Sequence, residues 1–97
     1  MWKEIIRVRL PLPDAKQAGK VFWEVFDFAK APEELASFQI YVSHAPENEV
    51  MLMLEWSENG PIQGGSDLGR SLVSALKRYG RVELSTWTKA PMPAGGQ

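Results

Sequence analysis

The sequence predicts an α+β domain of element order β-α-β-β-α-β, one antiparallel sheet of strand order 4-1-3-2 with both helices on one face. Three observations predict it. Four segments alternate their side chains with the two-residue period of a strand, and two intervening segments repeat apolar residues at helical spacing. The stretch from Glu49 to Ser57 is apolar on both faces, with Val50, Leu52, Leu54 and Trp56 on one side and Met51 and Met53 beside Glu55 on the other. Such a strand needs cover on both sides and belongs in the middle of a sheet. Right-handed crossovers then make strands one and three the central pair.

Residues 2–10 form the first strand, with Ile6, Val8 and Leu10 on one face and Lys3, Ile5, Arg7 and Arg9 on the other. Pro11 and Pro13 stop it, since neither can donate to a ladder. Asp14 stands at an N-cap position, and Ala15, Ala18, Phe22, Phe26 and Ala29 recur at helical spacing, which predicts a helix over 14–30. Trp23 and Phe28 widen its apolar side. Pro32 ends the helix, and 31–36 is a connection with one helical turn at Glu33 to Leu35.

From Phe38 to His44 the strand period returns, with Phe38, Ile40, Val42 and His44 on one face and Tyr41 on the other. The polar turn 45–48 leads directly into the next strand, so 37–57 reads as a hairpin. The breaker-rich stretch 58–65 is a flexible loop, and Ser66 or Asp67 caps a second helix bearing Leu68, Leu72, Ala75, Leu76 and Tyr79. Gly80 is placed to end it, and 81–89 is the last strand. The single domain therefore spans 1–89, and 90–97 is a flexible tail.

In this arrangement Arg9 should lie near Met51, Arg7 near Met53 and both Glu55 and Trp87 near Ile5, to within a two-residue slip. The helix-free face then carries Ile5, Tyr41, Met51, Met53 and Trp87, crossed by Arg7, Arg9 and Glu55. That is more apolar surface than a monomer leaves wet, and a homodimer through this face is expected, its arginines paired with Glu55 or with acids at the rim.

Composition limits the chemistry. The 97 residues are 44% hydrophobic and 24% charged, which fits one ordinary globular domain. A net charge of −1 gives no reason to expect a nucleic-acid partner. The chain has no cysteine, which removes disulfides, thiolate metal sites and cysteine nucleophiles. With a single histidine besides, neither a metal nor a haem cofactor is expected. No apolar run reaches the roughly 20 residues of a membrane span, and the first residues mix charge with apolar side chains. A cytoplasmic protein without membrane association is the expectation.

The element order, the size and a third strand ending in Leu54, Glu55, Trp56 and Ser57 give a ferredoxin-like chain that resembles the dimeric α+β barrel superfamily, most closely its antibiotic-biosynthesis-monooxygenase-like branch. The resemblance covers roughly residues 2–89. It implies ligands held between helices and sheet, and activities that include cofactor-independent monooxygenation of aromatic substrates. The haem-degrading members place an asparagine in the first strand, a tryptophan near the end of the third and a histidine on the second helix. Trp56 matches the tryptophan, but the other two are missing here. Other owners of the topology fit less well. An RNA-recognition sheet carries aromatic and basic residues on its third strand, where this chain has Met51, Met53 and Glu55.

Two function classes follow: a small cofactor-free enzyme acting on an apolar or aromatic molecule, and a non-enzymatic dimer that binds a ligand or a protein. His44 is the one side chain with an unperturbed pKa near neutrality and is the candidate base. Trp23, Phe26 and Trp56 are the candidate ligand contacts, with loop 58–65 as a lid hinged at Gly60-Pro61 and Gly64-Gly65. His44 and Trp56 fall at opposite ends of the hairpin, over ~20 Å apart at about 3.4 Å per residue, and cannot share a site within one subunit. The glycines before Ser66 invite a phosphate-binding reading, but Asp67 in the first turn opposes an anion there.

Overall fold

In a computed structural model of the chain, which describes residues 1–27, 30–57, 59–60 and 63–94, strand β1 (Trp2–Arg9) buries every second side chain. Trp2, Glu4, Ile6 and Val8 point into the core, and Lys3, Ile5, Arg7 and Arg9 point away. Helix α1 (Ala15–Val25) follows, then β2 (Leu35–Val42), β3 (Glu49–Trp56), helix α2 (Asp67–Leu76) and β4 (Arg81–Thr88). The sheet order is β2-β3-β1-β4, all antiparallel, as the topology rules require.

The central pair β1 and β3 sits one two-residue step from the expected register. Arg9 faces Glu49, Arg7 faces Met51 and Ile5 faces Met53. On the other side of β1, Ile5 faces Ser85, and Trp87 faces Lys3. A slip of two keeps every side chain on its face, so the core is unaffected. The ion pairs do change. Arg7 and Arg9 both reach Glu49, at 3.0 and 3.8 Å, while Glu55 takes Lys3 at 3.5 Å.

Helix α1 is shorter than the sequence periodicity suggests. It ends at Val25, and Phe26 is already extended, at φ −88° and ψ 123°. Leaving the helix there lets Phe26 stack flat on Phe38, ring centroids 3.9 Å apart, so the last aromatic of the apolar stripe is buried against β2. Ala29 and Phe28, which the longer helix would have included, lie outside the described residues. Glu33 and Glu34 form a turn closed by Leu35 N to Pro32 O at 3.1 Å, and β2 starts at Leu35 with an irregularity before Ser37. The last expected strand residue, Lys89, lies beyond β4.

The helices cover one face, α1 over β2 and β3 and α2 over β1 and β4. Phe22, Ile6, Leu52, Leu54 and Leu76 are fully enclosed between the layers. On the opposite face Ile5, Met51 and Met53 are only partly covered, and Tyr41 and Trp87 are 47% and 56% exposed.

A candidate ligand groove and a buried carboxylate

Lys16, Gly19, Lys20 and Trp23 fall at i, i+3, i+4 and i+7 on α1 and so share one stripe of the helix. That stripe overhangs the edge strand β2 beside Ile40 and Val42. Gly19 permits the approach: a Cβ there would meet Val42 Cγ1 at 2.8 Å. The result is an open groove of about 420 Å³ lined by these six residues. Trp23 is 39% exposed along it and rests edge-on against Phe38, at 5.5 Å and 81°.

Lys16 and Val42 also line a second cleft, of about 180 Å³, together with Asp14, His44 and Glu47. The two hollows share these walls and adjoin one another, Trp23 lining one and His44 the other. Backbone bonds fix the His44 end: Ala15 N donates to Glu47 O at 3.0 Å, and Leu10 N to Asn48 O at 2.7 Å. Asp14 holds the N-cap position of α1, as its place before the stripe suggests, but its side chain makes no capping bond.

Of the aromatics expected to touch a ligand, only Trp23 faces solvent appreciably. Phe26 and Trp56 are 5% and 3% exposed. Trp56 stacks on Trp2 at 5.8 Å and 19°, and it pairs with Leu35 at the end of β2 remote from His44. The structure thus puts Trp23 and His44 on adjoining hollows and leaves Trp56 in a separate cluster.

That cluster is built on a residue the sequence reading passed over. Glu4 is fully buried, and three donors converge on its carboxylate. Trp56 Nε1 donates to Oε1 at 2.7 Å, Ser66 Oγ to Oε1 at 2.5 Å, and Ser66 N to Oε2 at 2.7 Å. Ser66 Oγ in turn accepts from Gly69 N at 2.9 Å, capping α2. An acid at this position is favoured by the free N–H groups and dipole of the helix end. The place a phosphate would take is filled by the protein's own carboxylate. Glycines make room for it: a Cβ on Gly69 would overlap the carboxylate, and one on Gly65, at φ +87°, would come within 2.8 Å of Oε2. Of the proposed lid, Glu58, Pro61 and Ile62 lie outside the described residues; of its described hinge glycines, Gly60 backs onto the Trp2 indole and Gly65 onto Leu84 and the Glu4 carboxylate.

No protein-family model matches the chain, and no curated protein matches it in sequence. Solved structures do match it in fold. A Deinococcus radiodurans protein provisionally assigned as an antibiotic biosynthesis monooxygenase superposes with a TM-score of 0.65 at 7% identity, covering 96% of each chain. A second structure named as an antibiotic biosynthesis monooxygenase gives 0.62 at 12% identity over 94% of this chain and 100% of that one. Rv0793 from Mycobacterium tuberculosis gives 0.60 at 15% identity over 97% and 100%. The chain accordingly shares the fold of these structures, and at these identities the likeness is one of fold alone.

Proposed function

We propose that the protein is a homodimer that binds a small, largely apolar or aromatic molecule in the α1–β2 groove and acts on it as a cofactor-independent monooxygenase. The observation that carries this reading is the partly exposed indole of Trp23 beside Ile40 and Val42, in a groove that adjoins the cleft lined by His44. A concave apolar surface with few polar groups is the usual form of a small-molecule site. The names of the structural neighbours support oxygenation as the reaction type. Without a cofactor, the substrate supplies the electrons: one atom of O2 enters the product and the other leaves as water. The protein's part is to hold the substrate and to take a proton from an acidic C–H or O–H. His44, in the adjoining cleft, is the group suited to that transfer.

The dimer reading is supported by the helix-free face. Ile5, Met51, Met53, Tyr41 and Trp87 form an apolar band there, and the Arg7, Arg9 and Glu49 ion pairs border it. Binding without turnover is the second reading, favoured by the scarcity of titratable groups in the Trp23 groove, where Lys16 and Lys20 are the titratable residues among the six that line it.

Oxygen uptake by the purified protein with electron-rich polycyclic phenols separates the two. Turnover that falls at least about tenfold in His44→Ala, with binding retained, is expected of the enzyme. Compounds that bind at Trp23 with no oxygen consumed would leave the non-enzymatic reading.

A further inference from the structure

We infer that the molecule taken up by the α1–β2 groove is an aromatic carboxylic acid, its ring system on Trp23 and its carboxylate between Lys16 and Lys20. This rests on the groove reading above and adds the charge of the ligand. Six residues line the groove, two of them lysines and none an acid. Both lysines are exposed, and among the described residues neither makes an ion pair, so both are open to an anion in the groove.

Their place on the helix is electrostatically adverse. Lys16 stands in the first turn of α1, which has no acidic residue, and Asp14 gives the helix end no side-chain cap; Lys20 follows one turn on along the same stripe. Cations near a helix N-terminus raise its energy, because the end already carries a partial positive charge. Lys16 makes the local potential there more positive, and Lys20, four residues on, extends it along the stripe. An anion in the groove would relieve it.

The polarity of the site follows. Trp23 lies beyond Lys20 along the stripe, so an acid reaching Lys16 and Lys20 lays its ring system over Trp23, Ile40 and Val42. Asp14 and Glu47 line the adjoining cleft and repel a carboxylate displaced toward it.

Equilibrium dialysis of naphthoate and of its neutral analogue naphthamide tests the inference. The wild type should bind naphthoate about tenfold more tightly than naphthamide, the order of effect two partly exposed charge pairs give, with the margin shrinking as salt is raised. The double variant Lys16→Gln/Lys20→Gln, with its helix content checked by circular dichroism, should lose the preference and keep the affinity for naphthamide. Trp23→Ala should weaken both compounds. Equal binding of the two compounds by the wild type, or a preference that survives loss of both lysines, would overturn the inference and leave the groove standing. Failure of either compound to bind, or binding unmoved by Trp23→Ala, would overturn the groove reading itself and this inference with it.

Discussion

The indole N–H of Trp56 donates to the buried carboxylate of Glu4 at 2.7 Å, tying the end of β3 to the start of β1 beneath the first turn of α2. Three elements meet at one side chain, and its partners have no water to fall back on. Glu4→Leu should therefore lower the unfolding free energy by roughly 2–4 kcal/mol, since it leaves Trp56 Nε1 and Ser66 N buried without an acceptor. Glu4→Gln, which keeps one acceptor but turns an amide N–H₂ toward a donor, should fall between that variant and the wild type. Urea unfolding of both variants measures the difference, and a neutral Glu4→Leu would mean that the cluster contributes no net stability.

Gly69 gives a test in which the sign decides. Glycine to alanine inside a helix usually stabilises by up to about 1 kcal/mol. Here a Cβ would overlap the Glu4 carboxylate, so Gly69→Ala should destabilise, with a melting temperature lower by roughly 5 °C or more. Calorimetry on Gly69→Ala alone and combined with Glu4→Ala should show the penalty relieved in the pair.

Much of this architecture is legible in the sequence because it rests on two periods and one handedness rule. Strand order, the hairpin and both helix stripes follow from where Ile6, Leu52, Phe22 and Leu72 recur. The β1–β3 register does not, because a slip of two preserves every face and only the ion pairs distinguish the alternatives. The end of α1 is hidden for a different reason. Pro32 is the nearest breaker, but the stacking of Phe26 on Phe38, a contact between distant residues, ends the helix earlier. Trp23 and His44 are both evident as candidates, yet their standing on adjoining hollows depends on how closely Gly19 lets α1 approach Val42. Glu4 left a signal that could have been read. It alternates with Trp2, Ile6 and Val8, and a lone acid on an apolar strand face has to find donors.

The helix-free face carries the oligomeric state. Met53 is central on β3 and partly covered, and it lies opposite Ile5. Met53→Glu should place a charge in the middle of the proposed interface and convert a dimer into a monomer at micromolar concentration without unfolding the subunit. Sedimentation velocity on wild type and variant decides it. A wild type that is already monomeric removes the dimer from the account.

The groove is tested most directly by the indole N–H resonances of the four tryptophans in nitrogen-15-labelled protein, titrated with aromatic acids and phenols. Trp2 and Trp56 report on the closed cluster at Glu4, Trp87 on the helix-free face and Trp23 on the groove. The Trp23 signal should shift on saturation while Trp2 and Trp56 hold still. Shifts at Trp2 and Trp56 with Trp23 unmoved would place the ligand at the buried cluster and contradict the groove reading.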